Sequence, residues 1–506
     1  MEILKVIKNT AERFPDRNAF RCGDQLMTYG KLWELSGALA GWILEHEDDL
    51  SKPPIAVYGH KSPGMLICFL ACARSGHAYC PIDSSLPANR IEAILSALPR
   101  TWLLETEDCP VEEKMRVITI TDDFLNALPP RSTADEEGQW VRKEDNYYMI
   151  FTSGSTGVPK GVQITRSNLE HFLDWSTGFA GAEGSEEPRV FLNQAPFSFD
   201  LSVMDLYTSL ACGGTLFCLD RTVQADYRKL MESLSSSNVN VWVSTPSFAE
   251  MCLADPAFRE ELMPKLDTFW FCGETLGNKT ARKLLKNFPK AVVYNTYGPT
   301  ESTVAVTSVQ VTAELAAADA PLPVGAPKPG TRIEIRDETG SVLPDGKEGE
   351  IIIFGDTVSP GYYGQTQPIR SAFLDGEPRG YQTGDKGYMM DGLLYFCGRM
   401  DDQIKLHGYR IELGDIERNI IKLPFVSSAA VVPRRRGGKI TSLAAYVVLG
   451  NCMKERGEDE ARKEIRHGLA ALLPEYMIPK FFFFPDELPR TANGKVDRRR
   501  LAGGDQ

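Results

Sequence analysis

Apolar and polar positions along the chain alternate between short strand-like runs and longer helical segments. The strand-like run Pro54–Gly59 is followed by residues 63–76, which have apolar positions at helical spacing, and then by the strand-like run His77–Asp83. Further strand-like runs, each after a helical stretch, lie at residues 239–246, 267–274 and 291–301. Strands that alternate with helices are typical of parallel sheets. The pattern therefore predicts an α/β fold in which helices cover the sheets and ligands bind at the carboxyl ends of the strands.

The pattern changes twice towards the C-terminus. Residues 322–398 form short apolar runs separated by Gly- and Pro-containing turns, which predict antiparallel hairpins and a small barrel-like part. After Gly398 the chain mixes helical and strand-like segments over about a hundred residues. We therefore expect a large N-terminal domain over residues 1–400 and a small α+β C-terminal domain over residues 401–506.

Composition narrows the class of protein. A chain of 506 residues is too long for one simple core, which agrees with two domains. The net charge of -12 argues against nucleic acid or an anionic membrane surface as the main partner. The most apolar run, Met65–Ala73, is far shorter than the roughly 20 residues that cross a bilayer, so no membrane insertion is expected.

Cysteine usage and the N-terminus indicate a cytoplasmic protein. The 11 cysteines include no C-x-x-C pair, and Cys68 and Cys72 lie one helical turn apart, as two small core residues would. The first twenty residues read as an amphipathic helix with acidic residues and not as a secretory signal. We expect reduced thiols, without a disulfide scaffold or a zinc site.

One segment has the composition of a phosphate-binding loop. Phe151–Gly161, FTSGSTGVPKG, combines glycines, hydroxyls and a lysine, and glycine lets backbone N–H groups point at an anion. It is not the Walker sequence, because Lys160 is followed by glycine, and it lacks the G-x-G-x-x-G dinucleotide pattern. Taken alone, the segment is equally compatible with a mobile surface loop.

Four further motifs favour the nucleotide interpretation. Asn295–Glu301, NTYGPTE, places an aromatic ring, a hydroxyl and a carboxylate together, suited to a base, a phosphate and Mg²⁺. Tyr381–Asp385 ends in a carboxylate suited to a ribose diol, Gly398–Lys405 supplies an arginine, and Asn493–Arg498 places a lysine in a turn. Singly, each has a mundane explanation, such as a hairpin turn, a surface ion pair or a charged tail.

Together and in this order, the motifs resemble those of the adenylate-forming superfamily, which contains acyl-CoA synthetases, adenylation domains of peptide synthetases and beetle luciferases. The resemblance implies that a carboxylate attacks the α-phosphate of ATP to give an acyl-adenylate and pyrophosphate, after which a thiol accepts the acyl group. It implies ATP and Mg²⁺ as cofactors. The ATP-binding residues it implies are Thr152, Ser153, Gly154, Ser155, Thr156, Gly157, Lys160, Asn295, Thr296, Tyr297, Gly298, Pro299, Thr300, Asp385, Arg399 and Lys495.

The resemblance also implies individual roles. Tyr297 would lie against adenine, Thr300 would reach the α-phosphate and Glu301 would hold Mg²⁺. Asp385 would bind the ribose with support from Arg399. In these roles, residues that are far apart in the sequence would bind different parts of the nucleotide.

The catalytic residue implied by the resemblance is Lys495 in the C-terminal domain. Its ammonium would neutralise charge on the substrate carboxylate and the α-phosphate. That domain is expected to be mobile, with a hinge at Asp401, and to rotate between the two half-reactions. Lys405 and Gly408 would then lie on the face that turns inward for thiol transfer.

The substrate residues predicted by resemblance are Asp200, Cys272, Val304 and Lys495. Asp200 occupies the position where amino-acid-activating relatives have a carboxylate for the α-ammonium group, although capping of the helix that follows is the alternative. The segments around Cys272 and Val304 closely resemble the D-alanine-activating branch of the superfamily, in which these positions line a very small side-chain pocket. The acceptor would be the phosphopantetheine thiol of a separate D-alanyl carrier protein, in trans, for D-alanylation of teichoic acids.

Two other functions stay open at this point. The first is a stand-alone adenylation enzyme for an L-amino acid, another small amino acid or a short acid, with coenzyme A or another carrier as acceptor. The second is a catalytically silent nucleotide-binding regulator, against which the presence of Lys495, Glu301 and Asp385 argues. A Walker-type kinase is disfavoured by the loop sequence.

Overall fold

The computed structural model describes residues 1–47, 49–100, 102–111, 115–130, 137–152, 159–181, 187–364, 372–401, 403–436, 439–490 and 496–503. Its contacts divide the chain into two compact units. The larger unit contains Met1–Ser84, Leu98–Ile150 and Gly161–Met400. The smaller unit contains Ser85–Ala97, Phe151–Lys160 and Asp401–Gln506, so it takes two short segments from the first third of the chain.

The strands, in chain order, are β1 (Asn18–Cys22), β2 (Gln25–Thr28), β3 (Ile55–Gly59), β4 (Tyr79–Asp83), β5 (Trp102–Glu105), β6 (Arg116–Thr119), β7 (Asn146–Thr152), β8 (Lys160–Thr165), β9 (Val190–Asn193), β10 (Thr215–Cys218), β11 (Val241–Ser244), β12 (Thr268–Phe271), β13 (Val292–Tyr297), β14 (Thr307–Gln310), β15 (Ala326–Pro327), β16 (Thr331–Arg336), β17 (Gly349–Gly355), β18 (Phe373–Leu374), β19 (Gly380–Met390), β20 (Leu393–Arg399), β21 (Gln403–Leu406), β22 (Tyr409–Glu412), β23 (Val426–Arg436), β24 (Lys439–Leu449) and β25 (Phe481–Phe483).

The helices are α1 (Ile3–Arg13), α2 (Tyr29–His46), α3 (Pro63–Arg74), α4 (Ala88–Ala97), α5 (Asp122–Ala127), α6 (Arg166–Ser176), α7 (Leu201–Ala211), α8 (Arg221–Ala225), α9 (Tyr227–Ser235), α10 (Pro246–Cys252), α11 (Asn278–Asn287), α12 (Ala313–Ala317), α13 (Leu413–Ile421), α14 (Asn451–Lys454), α15 (Glu458–Ala470) and α16 (Arg498–Gly503). None of these helices, within the residues just given, is both long and apolar enough to cross a membrane.

The larger unit contains two mostly parallel sheets, which confirms the predicted α/β class. One has the strand order β15-β14-β13-β12-β11-β9-β10-β1-β2 and is parallel from β13 to β1. The other has the order β6-β5-β3-β4-β7-β8. Interior strands such as β3, with the sequence IAVYG, are short apolar runs buried at every position, because helices cover both faces of a parallel sheet.

Helix α3 illustrates how local sequence builds this core. The hydroxyl of Ser62 accepts a hydrogen bond from the N–H of Met65, and Pro63 occupies the first turn, where its missing N–H costs nothing. Cys68 and Cys72 are fully buried on this helix, as expected for two small core residues.

The hairpins predicted between residues 322 and 398 form an antiparallel sheet that carries part of the candidate site. β16 pairs with β17 and β17 with β19, while the two halves of β19 pair with β18 and β20. The register sets Asp385 on β19 opposite Arg399 on β20. Two residues that are 14 positions apart in the sequence thereby become cross-strand neighbours.

The smaller unit has the mixed α+β character that the sequence predicts. The hairpin β21-β22 and the sheet β23-β24-β25 pack with α13 and α15 around an apolar core. Ile416 and Ile420 on α13, together with Ile465 and Leu469 on α15, are fully buried in it. The 3–4 residue spacing on each helix gives the apolar face that this packing needs.

Candidate functional site

The carboxyl ends of β12 and β13 define the site in the larger unit. These strands are parallel, and Phe271 pairs with Asn295, so both strands end at the same edge of the sheet. The chain then passes through Gly298 into a short 3₁₀ turn, Thr300–Ser302. A Cβ atom on Gly298 would lie 2.6 Å from the Cα of Ala305, so the close approach of the backbone requires glycine at this position.

A buried carboxylate joins the NTYGPTE motif to the antiparallel sheet. Asp385 accepts a hydrogen bond of 2.6 Å from the hydroxyl of Tyr297 and one of 2.8 Å from Arg399. Arg399 also donates to the carbonyl of Thr383, at 2.7 Å. Burial raises the pKa of Tyr297 well above its usual range, with the charge of Asp385 adding to the effect, so the phenol stays protonated and donates.

The site contains a second buried carboxylate, Asp200. The hydroxyl of Thr300 donates to Asp200 Oδ2 at 2.6 Å, although the two residues are 100 positions apart. Asp200 occupies the N-cap position of α7, but its side chain makes no capping hydrogen bond. The geometry therefore does not support the capping alternative, and it connects Asp200 to the nucleotide motif.

Glu301, the predicted magnesium ligand, is completely buried. Its Oε1 accepts a hydrogen bond from the hydroxyl of Tyr362, at 2.8 Å, and its backbone carbonyl accepts one from the N–H of Ser359. Sequence reasoning missed Tyr362, because nothing in its local sequence indicates a partner 61 positions away.

The two remaining polar residues of the motif are held by backbone groups. The Asn295 amide donates to the carbonyl of Pro323 at 2.7 Å, and the Thr296 hydroxyl donates to that of Phe271 at 2.7 Å. Asn295 Oδ1 is buried and has no hydrogen-bond partner among the described residues. A buried acceptor of this kind is suited to a ligand N–H donor such as an amino group on a base.

The structure brings together Cys272 and Val304, the two residues that the resemblance assigns to a small pocket. The thiol of Cys272 lies 3.6 Å from the carbonyl oxygen of Val304 and both residues are buried. Thr303 and Val304 have positive φ angles of 57° and 68°, in a region that β-branched residues rarely occupy. The Thr303 hydroxyl donates to the carbonyl of Thr357 at 2.7 Å.

Two buried ionisable side chains lie near the end of β9 and were not anticipated. Lys61 donates to the backbone carbonyls of Asn193, Gln194 and Leu219. Asp205 on α7 accepts a hydrogen bond of 2.8 Å from the Asn193 amide. Burial raises the pKa of Asp205 well above its usual range, although the hydrogen bond from Asn193 and the charge of Lys61 act in the opposite direction.

The other predicted site residues lie elsewhere. Thr152 ends β7 and Lys160 begins β8, and both belong to the smaller unit. Asp401 also begins a segment of that unit, and its carboxylate accepts the N–H of Gln403 at 3.2 Å. Outside the described residues lie Ser153, Gly154, Ser155, Thr156, Gly157 and Lys495.

Comparison with protein families gives two matches. Residues 7–363 match the AMP-binding enzyme family, and residues 415–495 match the AMP-binding enzyme C-terminal domain. Two similar relatives are named D-alanine–D-alanyl carrier protein ligase. The protein from Bacillus licheniformis is 47% identical over 99% of both chains, and that from Bacillus velezensis is 46% identical over 99% of both.

Solved structures of adenylation enzymes share the fold. An NRPS protein with adenylation and PCP domains, bound to a vinylsulfonamide inhibitor, has a TM-score of 0.83 at 24% identity, with 99% of this chain and 84% of that one covered. The Vibrio cholerae adenylation domain AlmE, in complex with glycyl-adenosine-5'-phosphate, has a TM-score of 0.81 at 21% identity, with 100% and 98% covered. At these identities the likeness concerns the fold.

Proposed function

The chain belongs to the AMP-binding enzyme family, as its motifs indicated, and from this premise we propose that it is a D-alanine–D-alanyl carrier protein ligase. It activates D-alanine with ATP, forming D-alanyl-adenylate and pyrophosphate. It then transfers the D-alanyl group to the phosphopantetheine thiol of a separate carrier protein, for D-alanylation of teichoic acids. We place this reaction in the cytoplasm, where ATP is available and thiols are kept reduced.

The hydrogen bond between Thr300 and Asp200 is the observation that carries the proposal. It sets a buried carboxylate directly beside the motif that the family uses for nucleotide. A buried carboxylate is stabilised by an opposite charge, and the α-ammonium group of an amino acid provides one. Fatty and aryl acids have no such group, so the geometry favours an amino acid as substrate.

In the first half-reaction the protein positions two substrates and neutralises charge. A carboxylate oxygen of D-alanine attacks the α-phosphorus of ATP, a P–O bond forms, and pyrophosphate leaves with the electrons of the broken bond. We assign the ribose to Asp385, held between Tyr297 and Arg399, and the α-phosphate to Thr300. The Lys495 ammonium neutralises the charge that develops between the two substrates.

The phosphate and base contacts complete the assignment. Thr152, Lys160 and the hydroxyls and glycines between them hold the outgoing phosphates. Asn295 and Thr296 lie beside the base, with Gly298 and Pro299 shaping the turn. Cys272 and Val304 enclose the methyl group of D-alanine.

Magnesium fits the donor set around Glu301. Mg²⁺ is usually held by one or two carboxylates together with substrate phosphates and water, and Glu301 is a buried carboxylate that Tyr362 keeps in place. Within the part of the chain that the structure describes, no group of three or more His, Cys, Asp or Glu side chains could hold a metal ion. Glu301 would hold the ion, and the bound ion would offset charge on the phosphates.

The second half-reaction needs a different arrangement. The carrier thiolate attacks the carbonyl carbon of the adenylate, a thioester forms and AMP leaves. We infer that the C-terminal domain turns about Asp401, which removes Lys495 and lets the phosphopantetheine arm enter.

ATP–pyrophosphate exchange tests the substrate assignment. We expect exchange with D-alanine to exceed exchange with L-alanine, glycine and acetate at equal concentrations. Racemic alanine with one enantiomer isotopically labelled then identifies the stereoisomer by the mass of the adenylate. A preference for acetate would reject the amino-acid substrate, and a preference for L-alanine or glycine would indicate another small amino acid.

Carrier loading is tested separately. Intact-protein mass spectrometry of a phosphopantetheinylated D-alanyl carrier protein should show the added mass of one alanyl group, dependent on ATP and this enzyme. Adenylate formation without loading would mean that the acceptor is different. ATP binding without exchange for any acid would identify a silent regulator.

A further inference from the structure

The backbone at Thr303 and Val304 forms a tight turn with an unusual conformation. The N–H of Ala305 donates to the carbonyl of Thr303 at 2.8 Å, which closes a three-residue γ-turn around Val304. The φ angles of both Thr303 and Val304 are positive. For β-branched residues this region is a strained outlier, and γ-turns with a positive central φ are rare. Such strain persists only where the surrounding structure holds it.

A rigid acceptor holds the first residue of this turn. The Thr303 hydroxyl donates to the carbonyl of Thr357 at 2.7 Å. The carbonyls on either side, of Asp356 and Val358, both accept hydrogen bonds from the Asn168 amide, at 2.7 and 3.2 Å. Asn168 thus holds the carbonyls of the residues before and after Thr357. The Thr357 carbonyl is therefore a fixed hydrogen-bond acceptor that would not move with the turn.

The carbonyl of Val304, the second residue of the turn, lies close to residues that follow β12 and β13. The Cys272 thiol lies 3.6 Å from the Val304 carbonyl. A Cβ atom on Gly298 would approach that same carbonyl to 2.8 Å. The Val304 carbonyl therefore lies between the Cys272 thiol and the backbone at Gly298.

We propose that Thr303 is a positioning residue for acid specificity. The hydrogen bond from its hydroxyl to the Thr357 carbonyl holds the γ-turn in its strained conformation. The turn then fixes the position of Val304, which forms a wall of the acyl pocket. The inference rests on the proposed function, because it assumes that Val304 lines the pocket for the side chain of the acid. When the anchor is lost, the turn relaxes, Val304 moves and an acid one methylene longer than D-alanine is accepted.

The test compares Thr303→Val with Thr307→Val. Valine keeps the shape and the β-branching of threonine and removes only the hydroxyl. Thr307 is a matched control, because its buried hydroxyl donates to the carbonyl of Val324 at the same 2.7 Å but lies on β14, outside the turn. The measurement is ATP–pyrophosphate exchange, with kcat and KM for D-alanine and for D-2-aminobutyrate, which is longer by one methylene.

We expect Thr303→Val to lower the kcat/KM preference for D-alanine over D-2-aminobutyrate by about tenfold or more, since one methylene in an apolar pocket is discriminated about 10–200-fold. The change should lie mainly in KM. Thr307→Val should keep the wild-type preference while losing a similar amount of thermal stability. An unchanged preference in Thr303→Val, or an equal loss in both variants, would overturn the proposal.

Two further variants test the role of the Thr303 hydroxyl if Thr303→Val is insoluble. Thr303→Ser keeps the hydroxyl and should keep the preference, whereas Thr303→Gly accepts positive φ without strain, lacks the anchor and should lose it. Identical behaviour of these two variants would also overturn the inference. A wild-type enzyme that does not activate D-alanine would reject the proposed function alone, and the comparison would then use its preferred acid and that acid's next homologue.

Discussion

Replacing Asp200 by asparagine tests the central contact of the site. The asparagine side chain has nearly the same volume as that of aspartate, and its amide oxygen can still accept the hydrogen bond from Thr300. The Asp200→Asn substitution therefore removes one negative charge and leaves the shape and this neighbour in place. In our assignment that charge is the partner of the substrate α-ammonium group.

The burial of Asp200 sets the size of the effect. Its exposed fraction is 8%, so water cannot replace the carboxylate as a partner for the ammonium group. Breaking a buried ion pair by removing one partner costs about 3–5 kcal/mol. At about 1.4 kcal/mol for each tenfold change, kcat/KM for D-alanine should fall between roughly one hundredfold and a few thousandfold.

ATP–pyrophosphate exchange with D-alanine and with propionate measures this effect. Propionate has the same carbon skeleton without the ammonium group, so its low activity should not fall in Asp200→Asn. The KM for ATP should stay close to that of the wild type. Asp205→Asn is the matched control on α7, because Asp205 is also a buried carboxyl, has no role in the proposed substrate contacts, and accepts a hydrogen bond from Asn193 that an amide oxygen can still accept.

Two results would refute this reasoning. The first is an equal fall in activity for D-alanine and propionate, which would mean that Asp200 supports the site only through Thr300. The second is a large rise in the KM for ATP, which would place the charge beside the nucleotide instead of the amino acid.

Three other changes give further predictions, two from the structure and one, at Lys495, from the family resemblance. Tyr297→Phe removes the 2.6 Å hydrogen bond to Asp385 and should lower the free energy of unfolding by about 1.5–3 kcal/mol, measured by urea denaturation; an unchanged midpoint would contradict the importance of this bond. Lys495→Ala should sharply reduce adenylate formation in a single-turnover assay while ATP binding by calorimetry persists, and undiminished turnover would reject its catalytic role. For Asp205 burial raises the folded-state pKa, so the wild type loses stability as pH rises above the unfolded value of about 4; the melting temperature of Asp205→Asn should therefore gain on that of the wild type as the pH is raised from this value, and a constant difference would count against a raised pKa.

The fold could be predicted from the sequence wherever a single segment determines its own secondary structure. β3 and β4 are short apolar runs on either side of α3, and the helix has its capping serine and proline in the sequence itself. Burial on both faces selects such runs for parallel strands, so the hydrophobic pattern alone predicted them. Glycine and proline turns likewise indicated the antiparallel hairpins.

The candidate site was harder to predict because its contacts are distant in sequence. Family resemblance gave Asp200 and Thr300, but only the fold showed that they are hydrogen-bonded to each other and that Asp200 does not cap α7. The positive φ angles of Thr303 and Val304 contradict local preference, since β-branched residues are the least expected there. Contacts with residues that are distant in the sequence impose that conformation, and the local sequence pattern does not indicate those contacts.

The hydrogen bond from Thr300 to Asp200 has a consequence for how each substrate affects the binding of the other. A threonine hydroxyl has a single proton to give, so it cannot serve Asp200 and a phosphate oxygen at once. In our assignment a phosphate of the nucleotide accepts that hydrogen bond, so the aspartate loses this donor and its affinity for a cation rises. Affinity couplings of this kind are reciprocal, so each substrate should tighten the binding of the other, and a single hydroxyl would make the enzyme respond cooperatively to the pair.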